Sequence, residues 1–238
     1  MNETEPTTPK TSRAPRAWIV YTMTALAMLS LVAAFFGDVP SLFRAKQTLP
    51  PPEENLAPVD HRIPLPDFTL EERSGAKIAK ADLNGKVWIA AFVFTRCTMG
   101  CPTISTTMKR LQTELNLAER DDLRLVTFTV DPERDQLEDL KKYAKTFQAD
   151  DKKWLFLTGT EEQVRPLLKE GFKVTADRKK NGKPGDEFDH TTKLAVIDKQ
   201  GRICGYFDGK QGEHDTDGTR FTGGLERIQA LVDQLVNE

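Results

Sequence analysis

The chain has 238 residues, of which 38% are hydrophobic and 29% charged, and its net charge is −2. This length and composition allow one domain of ordinary size with additional segments, and they exclude disorder throughout the chain. The small net charge gives no reason to expect a nucleic-acid partner. Three cysteines are too few for a disulfide scaffold, and two of them, Cys97 and Cys101, lie four positions apart, which points to chemistry at that pair.

Residues 17–37 (AWIVYTMTALAMLSLVAAFFG) form an apolar run without a charged residue. About 20 such residues, at ~1.5 Å per residue, cross a ~30 Å hydrocarbon layer, so we predict a transmembrane anchor. Lys10, Arg13 and Arg16 precede the run, so the positive-inside rule puts residues 1–16 in the cytoplasm and the rest of the chain in the periplasm or another extracytoplasmic space. The alternative is a cleaved signal peptide, and we favour the anchor because a signal core has only ~7–15 apolar residues.

Residues 38–62 contain Pro40, Pro50, Pro51, Pro52 and Pro58 and few periodic apolar positions. This composition predicts an extended linker between the membrane and a globular domain at residues 63–238.

Within residues 63–238, strand patterns alternate with helix patterns. Residues 87–94 (VWIAAFVF) form a continuous apolar run, typical of a strand buried on both faces. Pro102 favours the start of a helix. Later patterns predict strands at 123–130 and 154–157 and helices near 137–147 and 164–168. A hairpin of 194–197 with 202–207 follows, and then a final helix that carries Leu225, Ile228, Val232 and Leu235. We therefore predict an α/β fold with a mixed central sheet flanked by helices. The cysteines follow the carboxyl end of a central strand, where such sheets place their sites.

The cysteine pair lies between this strand and the next helix. Cys101 directly precedes Pro102, so its thiolate would face the positive end of the helix dipole, and we expect a lowered pKa. Two such thiols can form a disulfide or bind a metal, whereas a purely structural disulfide across three residues would add little stability. The C-x-x-x-C spacing differs from the C-x-x-C of thioredoxin-like redox motifs, which weakens a pure disulfide-exchange role without excluding it.

Three segments of the chain together resemble the Sco/SenC family of copper proteins: FTRCTMGCP at 94–102, TVDPERD at 129–135 and DHTTKLAVIDKQG at 189–201. The resemblance covers roughly residues 63–238 and implies a thioredoxin-like fold. In thioredoxins the stretch that enters the corresponding strand carries a cis-proline facing the cysteine loop. Here that stretch carries His190, so we expect His190 to approach the cysteines, although an ordinary surface histidine is the alternative.

The resemblance also implies copper ligands at Cys97, Cys101 and His190, with a redox disulfide between the two cysteines. Soft thiolates select Cu(I), imidazole also accepts Cu(II), and a structural zinc site would need a fourth ligand. By the same resemblance, the chain is a metallochaperone for the binuclear copper centre of cytochrome c oxidase or a related copper enzyme. Its implied partners are the copper-binding subunit of the oxidase or another copper acceptor, a copper donor, and a thioredoxin-like reductant.

The sequence assigns four further residues less definite roles. Asp131 and Asp189 are candidates for orienting the His190 ring, although Asp131 could equally belong to a turn. The family usually has proline followed by Asp or Asn after its first cysteine, where this chain has Thr98-Met99-Gly100, and we favour packing of Met99 within the loop over a weak thioether ligand. Cys204 is expected to be a small buried residue of the second hairpin strand.

Two enzyme functions remain as alternatives to copper delivery. The same dithiol could act as a membrane-anchored thiol–disulfide oxidoreductase that reduces the cysteines of a copper acceptor. A thiol peroxidase is a weaker reading, because the resemblance does not support it. His190 favours copper binding, since disulfide exchange does not require it.

Overall fold

The computed structural model describes residues 62–238. Within that range, no helix is both long enough and apolar enough to cross a membrane. The predicted anchor at residues 17–37 and the linker up to residue 61 lie outside the described residues, and both remain predictions.

Ten strands occur in the described part of the chain. They are β1 (Ile63–Pro64), β2 (Thr69–Glu72), β3 (Lys77–Ala79), β4 (Val87–Val93), β5 (Leu123–Thr129), β6 (Trp154–Thr158), β7 (Ala176–Lys183), β8 (Asp186–His190), β9 (Lys193–Ile197) and β10 (Arg202–Asp208). Eight of them form one sheet in the order β1-β10-β9-β4-β5-β6-β2-β3, and β7 pairs with β8 alone. Strands β4, β5 and β6 are parallel and their outer neighbours antiparallel, so the predicted mixed sheet is confirmed.

Four α-helices accompany the sheet within residues 62–238. They are α1 (Cys101–Glu114), α2 (Leu137–Thr146), α3 (Glu161–Pro166) and α4 (Thr219–Asn237). Helix α1 begins at Cys101 with Pro102 in its first turn, where the missing N–H of proline costs no hydrogen bond. The apolar positions predicted for the last helix, Leu225, Ile228, Val232 and Leu235, are all buried.

The centre of the core is aromatic. Strand β4 is buried along its whole length, as its apolar sequence predicted. Phe172 follows α3, and the centroid of its ring lies 5.0 Å from that of Phe92 and 5.1 Å from that of Phe128. It meets the ring of Trp88 edge-on, with the centroids 6.1 Å apart. These contacts hold the parallel strands under the cysteine loop, because Phe92 lies near the end of β4 and Phe128 near the end of β5.

Hairpin β7–β8 is an element that the sequence analysis missed. Strand β7 (ADRKKNGK) is mostly polar, so it lacks the apolar alternation by which strands are recognised. The hairpin packs on the domain mainly through Phe188, whose ring lies 5.3 Å from that of Phe94. Its last residue is His190, so a hairpin of unremarkable sequence carries one of the candidate ligands.

Replacing Phe172 with alanine should lower the free energy of unfolding by about 3–5 kcal/mol, because it opens a cavity between Trp88, Phe92 and Phe128. Ile63→Ala is the matched control, since Ile63 is 40% exposed and its truncation should change stability by less than about 1 kcal/mol. Urea unfolding of both variants measures the difference. Equal losses in the two variants would show that the aromatic cluster is not a main source of stability.

Candidate metal centre

The loop after β4, the start of α1 and the end of β8 bring three metal-binding side chains together. Cys97 lies in the loop after β4, Cys101 is the first residue of α1, and His190 ends β8. Their ligand atoms all lie within 4.8 Å of one another. His190 Nε2 is 3.2 Å from the sulfur of Cys101. The structure therefore places the three residues as predicted, against the alternative of an isolated surface histidine.

The two thiols are free and differ in environment. The neighbouring Cys101 side chain is the main cause that holds the pKa of Cys97 down to about 3 despite its partial burial, with further help from the backbone N–H groups of Cys101 and Met99. Burial raises the pKa of Cys101 well above its ordinary value, and the neighbouring Cys97 raises it further. Cys97 is thus the thiolate and Cys101 the thiol.

Our expectation of a lowered pKa at Cys101 was wrong. Cys101 is at the helix start, as predicted, but its side chain is 0% exposed, and the loss of hydration outweighs the helix dipole. Cys97 retains 8% exposure and receives the hydrogen bonds.

The His190 ring is oriented by the backbone. Its Nδ1 lies 2.9 Å from the carbonyl oxygen of Thr191. A carbonyl oxygen only accepts hydrogen bonds, so Nδ1 carries the proton and Nε2 presents its lone pair to the cysteines. Phe94 supports the ring edge-on at 5.7 Å between centroids. The imidazole is therefore held in the tautomer that binds a metal through Nε2.

Neither carboxylate that we proposed as the partner of His190 fills that role, because the Thr191 carbonyl does. The Asp189 side chain is 76% exposed and lies 3.8 Å from Lys179 Nζ. Asp131 is buried but faces three arginines instead of the imidazole. The interpretation of both residues as direct supports of the ring is thus corrected.

Asp131 joins three chain segments through those arginines. Its carboxylate lies 2.6 Å from Arg96, 3.2 Å from Arg134 and 3.2 Å from Arg178. Arg96 directly precedes Cys97, and Arg178 lies on β7, with its guanidinium over the ring of Phe188. The sequence motif pointed to Asp131 but not to its partners, since contacts between distant arginines leave no local pattern.

A second buried carboxylate, that of Asp135, holds the base of the cysteine loop. It accepts hydrogen bonds from the backbone N–H of Thr95 at 3.0 Å, from the Thr95 hydroxyl at 2.6 Å and from the Thr129 hydroxyl at 2.6 Å. Burial raises the pKa of Asp135, and these hydrogen bonds oppose that rise. No local sequence pattern indicated this contact.

Hairpin β7–β8 also contacts the loop between the two cysteines. The backbone N–H of Thr98 donates to the carbonyl oxygen of Gly185 at 3.0 Å. Gly185 has φ +85°, and a β-carbon there would collide with the Thr98 side chain, so this close approach requires glycine. The hairpin therefore contacts the site at both ends, through Gly185 and through His190.

Two minor expectations about single residues were wrong. Met99 does not pack within the loop, since it is 71% exposed. Cys204 is half-buried, with its sulfur 3.5 Å from the Arg202 carbonyl oxygen, and burial raises its pKa to about 11.

Comparisons with known families, sequences and structures all find similarity to the same family. The SCO1/SenC family model matches residues 60–219. The SCO1 protein homolog of Bacillus subtilis is 32% identical over 143 residues, or 60% of this chain and 72% of that protein. A SCO1/SenC family lipoprotein from Bacillus anthracis superposes with a TM-score of 0.62 at 28% identity, covering 73% of this chain and 95% of that chain.

A second similar solved structure is that of BsSco, described as a member of the Sco family of cytochrome c oxidase assembly proteins in which a disulfide switch was identified. It superposes with a TM-score of 0.55 at 28% identity, covering 72% of this chain and 96% of that chain.

Iodoacetamide should alkylate Cys97 selectively in the reduced chain at about pH 5, because an ordinary thiol with a pKa of about 8.5 has almost no thiolate there. Replacing Cys101 with alanine removes the side chain that is the main cause of the low Cys97 pKa and should slow this reaction at least about tenfold. Cys204→Ala is the control and should leave the rate unchanged. Peptide mass spectrometry locates the label, and faster labelling of Cys101 would reverse the assignment of the thiolate.

Proposed function

This chain belongs to the SCO1/SenC family, and from that membership and its Cys97–Cys101–His190 cluster we propose that it binds copper and passes it to an acceptor. The acceptor that we propose is the binuclear copper centre of cytochrome c oxidase, or a related copper enzyme. The observation that carries the proposal is the convergence of two sulfurs and one imidazole nitrogen within 4.8 Å. Copper is the cargo of this protein, not a resident catalyst.

The donor set fits copper in both charge and softness. Two thiolates suit Cu(I), and the imidazole extends the range to Cu(II). Cys97 is already a thiolate and Nε2 of His190 already has a free lone pair, so metal binding has to release only the Cys101 proton. Among the histidine, cysteine and acidic side chains of residues 62–238, no fourth one joins the cluster. A closed structural zinc site needs four ligands, whereas a three-ligand site leaves a position through which cargo can leave.

The same dithiol supports a second candidate function, a thiol–disulfide oxidoreductase acting on the cysteines of a copper acceptor. The observation in its favour is the low pKa of Cys97, because the thiolate is the attacking species in disulfide exchange. The oxidised product would carry a Cys97–Cys101 disulfide, which a thioredoxin-like partner would reduce again. The geometry of His190 favours copper binding, since disulfide exchange does not require an imidazole nitrogen 3.2 Å from the second sulfur.

The proposed location is the outer face of a membrane, with residues 17–37 as the anchor and the copper-binding domain in the periplasm or a similar space. The charge-free apolar run and the basic residues before it support this arrangement. An extracytoplasmic compartment also permits the disulfide, since cytosolic thiols are kept reduced.

His190→Ala should abolish or strongly weaken the sulfur-to-Cu(II) charge-transfer absorption, because Cu(II) prefers nitrogen ligands and a higher coordination number. Cu(I) affinity should fall less, by about tenfold, since two thiolates still bind it. The Cys97–Cys101 reduction potential should change little. His214→Ala is the matched control, because His214 lies exposed in a loop and should have no effect.

The two functions predict opposite results for this variant. Normal Cu(II) binding combined with failure in thiol exchange would replace copper delivery by the oxidoreductase function. Loss of Cu(II) binding with thiol exchange intact supports copper delivery.

Alkaline phosphatase fused to the C-terminus should be active in cells, because this reporter folds only where disulfides form, outside the cytoplasm. Deleting residues 1–37 from the same fusion should abolish that activity and leave the protein in the cytosol. A fusion of the full chain that is active only with a cytoplasmic reporter would show that the proposed orientation is wrong.

A further inference from the structure

Met99 stands out as an exposed soft donor beside a buried metal centre. It lies two positions from each cysteine and is 71% exposed. Large apolar side chains are rarely left this open, and among residues 62–238 only Ile63 and Tyr206 are also exposed hydrophobics of this size. Both of those are far less exposed, so Met99 makes little contribution to packing and is free for another role.

The two cysteines on either side of Met99 in the sequence are almost closed to solvent. Cys101 is 0% exposed and Cys97 only 8% exposed, while the imidazole of His190 covers Cys101 at 3.2 Å. A copper ion arriving from a donor cannot reach both thiols at once. The ion therefore binds a ligand at the protein surface first, or it leaves the ligands of its donor before the cysteine sulfurs can bind it. The second route has a high energy barrier, because the ion is then without protein ligands.

The loop fixes the backbone at Met99 while its side chain stays free. Thr98 is bonded to Gly185 on one side, and helix α1 begins at Cys101 on the other. A β-carbon at Gly100 would meet no atom within 4 Å, so the space around the loop tip is open. With three rotatable bonds, the methionine side chain can therefore reach both outward and back toward Cys97.

We propose that the Met99 thioether is an entry and exit ligand for Cu(I), which binds the ion transiently between the partner protein and the thiols. The inference rests on the proposed copper-carrying function and extends it to a residue outside the equilibrium ligand set. Uptake is a ligand exchange: a bond from copper to the donor molecule breaks as the bond to Met99 sulfur forms, and Cys97 then displaces the thioether. Copper stays Cu(I) throughout, and the Cys101 proton passes to solvent when that sulfur binds. Thioether sulfur suits the step because it is soft enough for Cu(I) and neutral, so it binds without deprotonation.

The test measures rates and affinity separately in the full-length reduced chain. Stopped-flow absorbance follows the transfer of Cu(I) from its coloured bicinchoninate complex, and an equilibrium titration with the same chelator gives the affinity. Met99→Leu keeps the size and apolar character and removes the sulfur, whereas Met99→Ala removes both. Met108→Leu is the matched control, since Met108 is 0% exposed within α1 and cannot meet incoming copper.

Both Met99 variants should take up and release Cu(I) about tenfold more slowly, with the equilibrium affinity unchanged within about twofold, and Met108→Leu should match the wild type. Wild-type rates in Met99→Leu would overturn the proposal, and if Met99→Ala alone were slow, Met99 would be an apolar docking contact instead. Faster release with unchanged uptake, and therefore lower affinity, would also overturn it, by making Met99 a resident ligand. If the unaltered chain bound no Cu(I), the proposed function itself would fail, which is a distinct result.

Discussion

The ion pairs around Asp131 are the interaction on which the geometry of the site depends. A carboxylate removed from water costs several kcal/mol unless it is paired. Asp131 meets that cost with Arg96, Arg134 and Arg178, whose side chains stay partly exposed and so keep much of their own hydration. Because Arg96 adjoins Cys97 and Arg178 lies on the hairpin that ends in His190, one buried charge connects the cysteine loop to the hairpin that carries the imidazole.

The different burial of the two cysteines gives them different protonation states. Cys97 lies in the loop and Cys101 at the helix start that follows it, yet Cys97 is a thiolate and Cys101 a thiol, because Cys101 is the more deeply buried and its side chain lowers the pKa of Cys97. The backbone carbonyl of Thr191 makes a similar choice for His190 by fixing the tautomer. The centre is thus prepared for a soft cation before one arrives, with a single proton left to release.

The sequence predicted the elements whose patterns are local and missed the contacts that are not. The apolar run of β4, Pro102 at the start of α1 and the turn between β9 and β10 are local patterns, and each predicted its element correctly. Hairpin β7–β8 is held by one phenylalanine, by ion pairs and by a glycine contact, none of which produces periodicity. Its turn-forming residues, Asn181-Gly182 and Pro184-Gly185, were the one available indication. The dipole argument for Cys101 failed for the same reason, because burial depends on the assembled fold.

Copper binding and disulfide formation draw on the same two sulfurs, so each excludes the other. A Cys97–Cys101 disulfide leaves His190 as the sole member of the cluster able to bind a metal, whereas a bound Cu(I) occupies the electron pairs that an oxidant would attack. The low pKa of Cys97 makes it the better attacking sulfur, and the buried Cys101 is then the partner that closes the bond. In the extracytoplasmic space that we propose for this domain, oxidation is favoured, so the chain would need an external reductant before it could load copper. Under the proposed function, the copper-bound state and the disulfide are therefore alternative states of one dithiol, and His190 distinguishes them because it takes part only in copper binding.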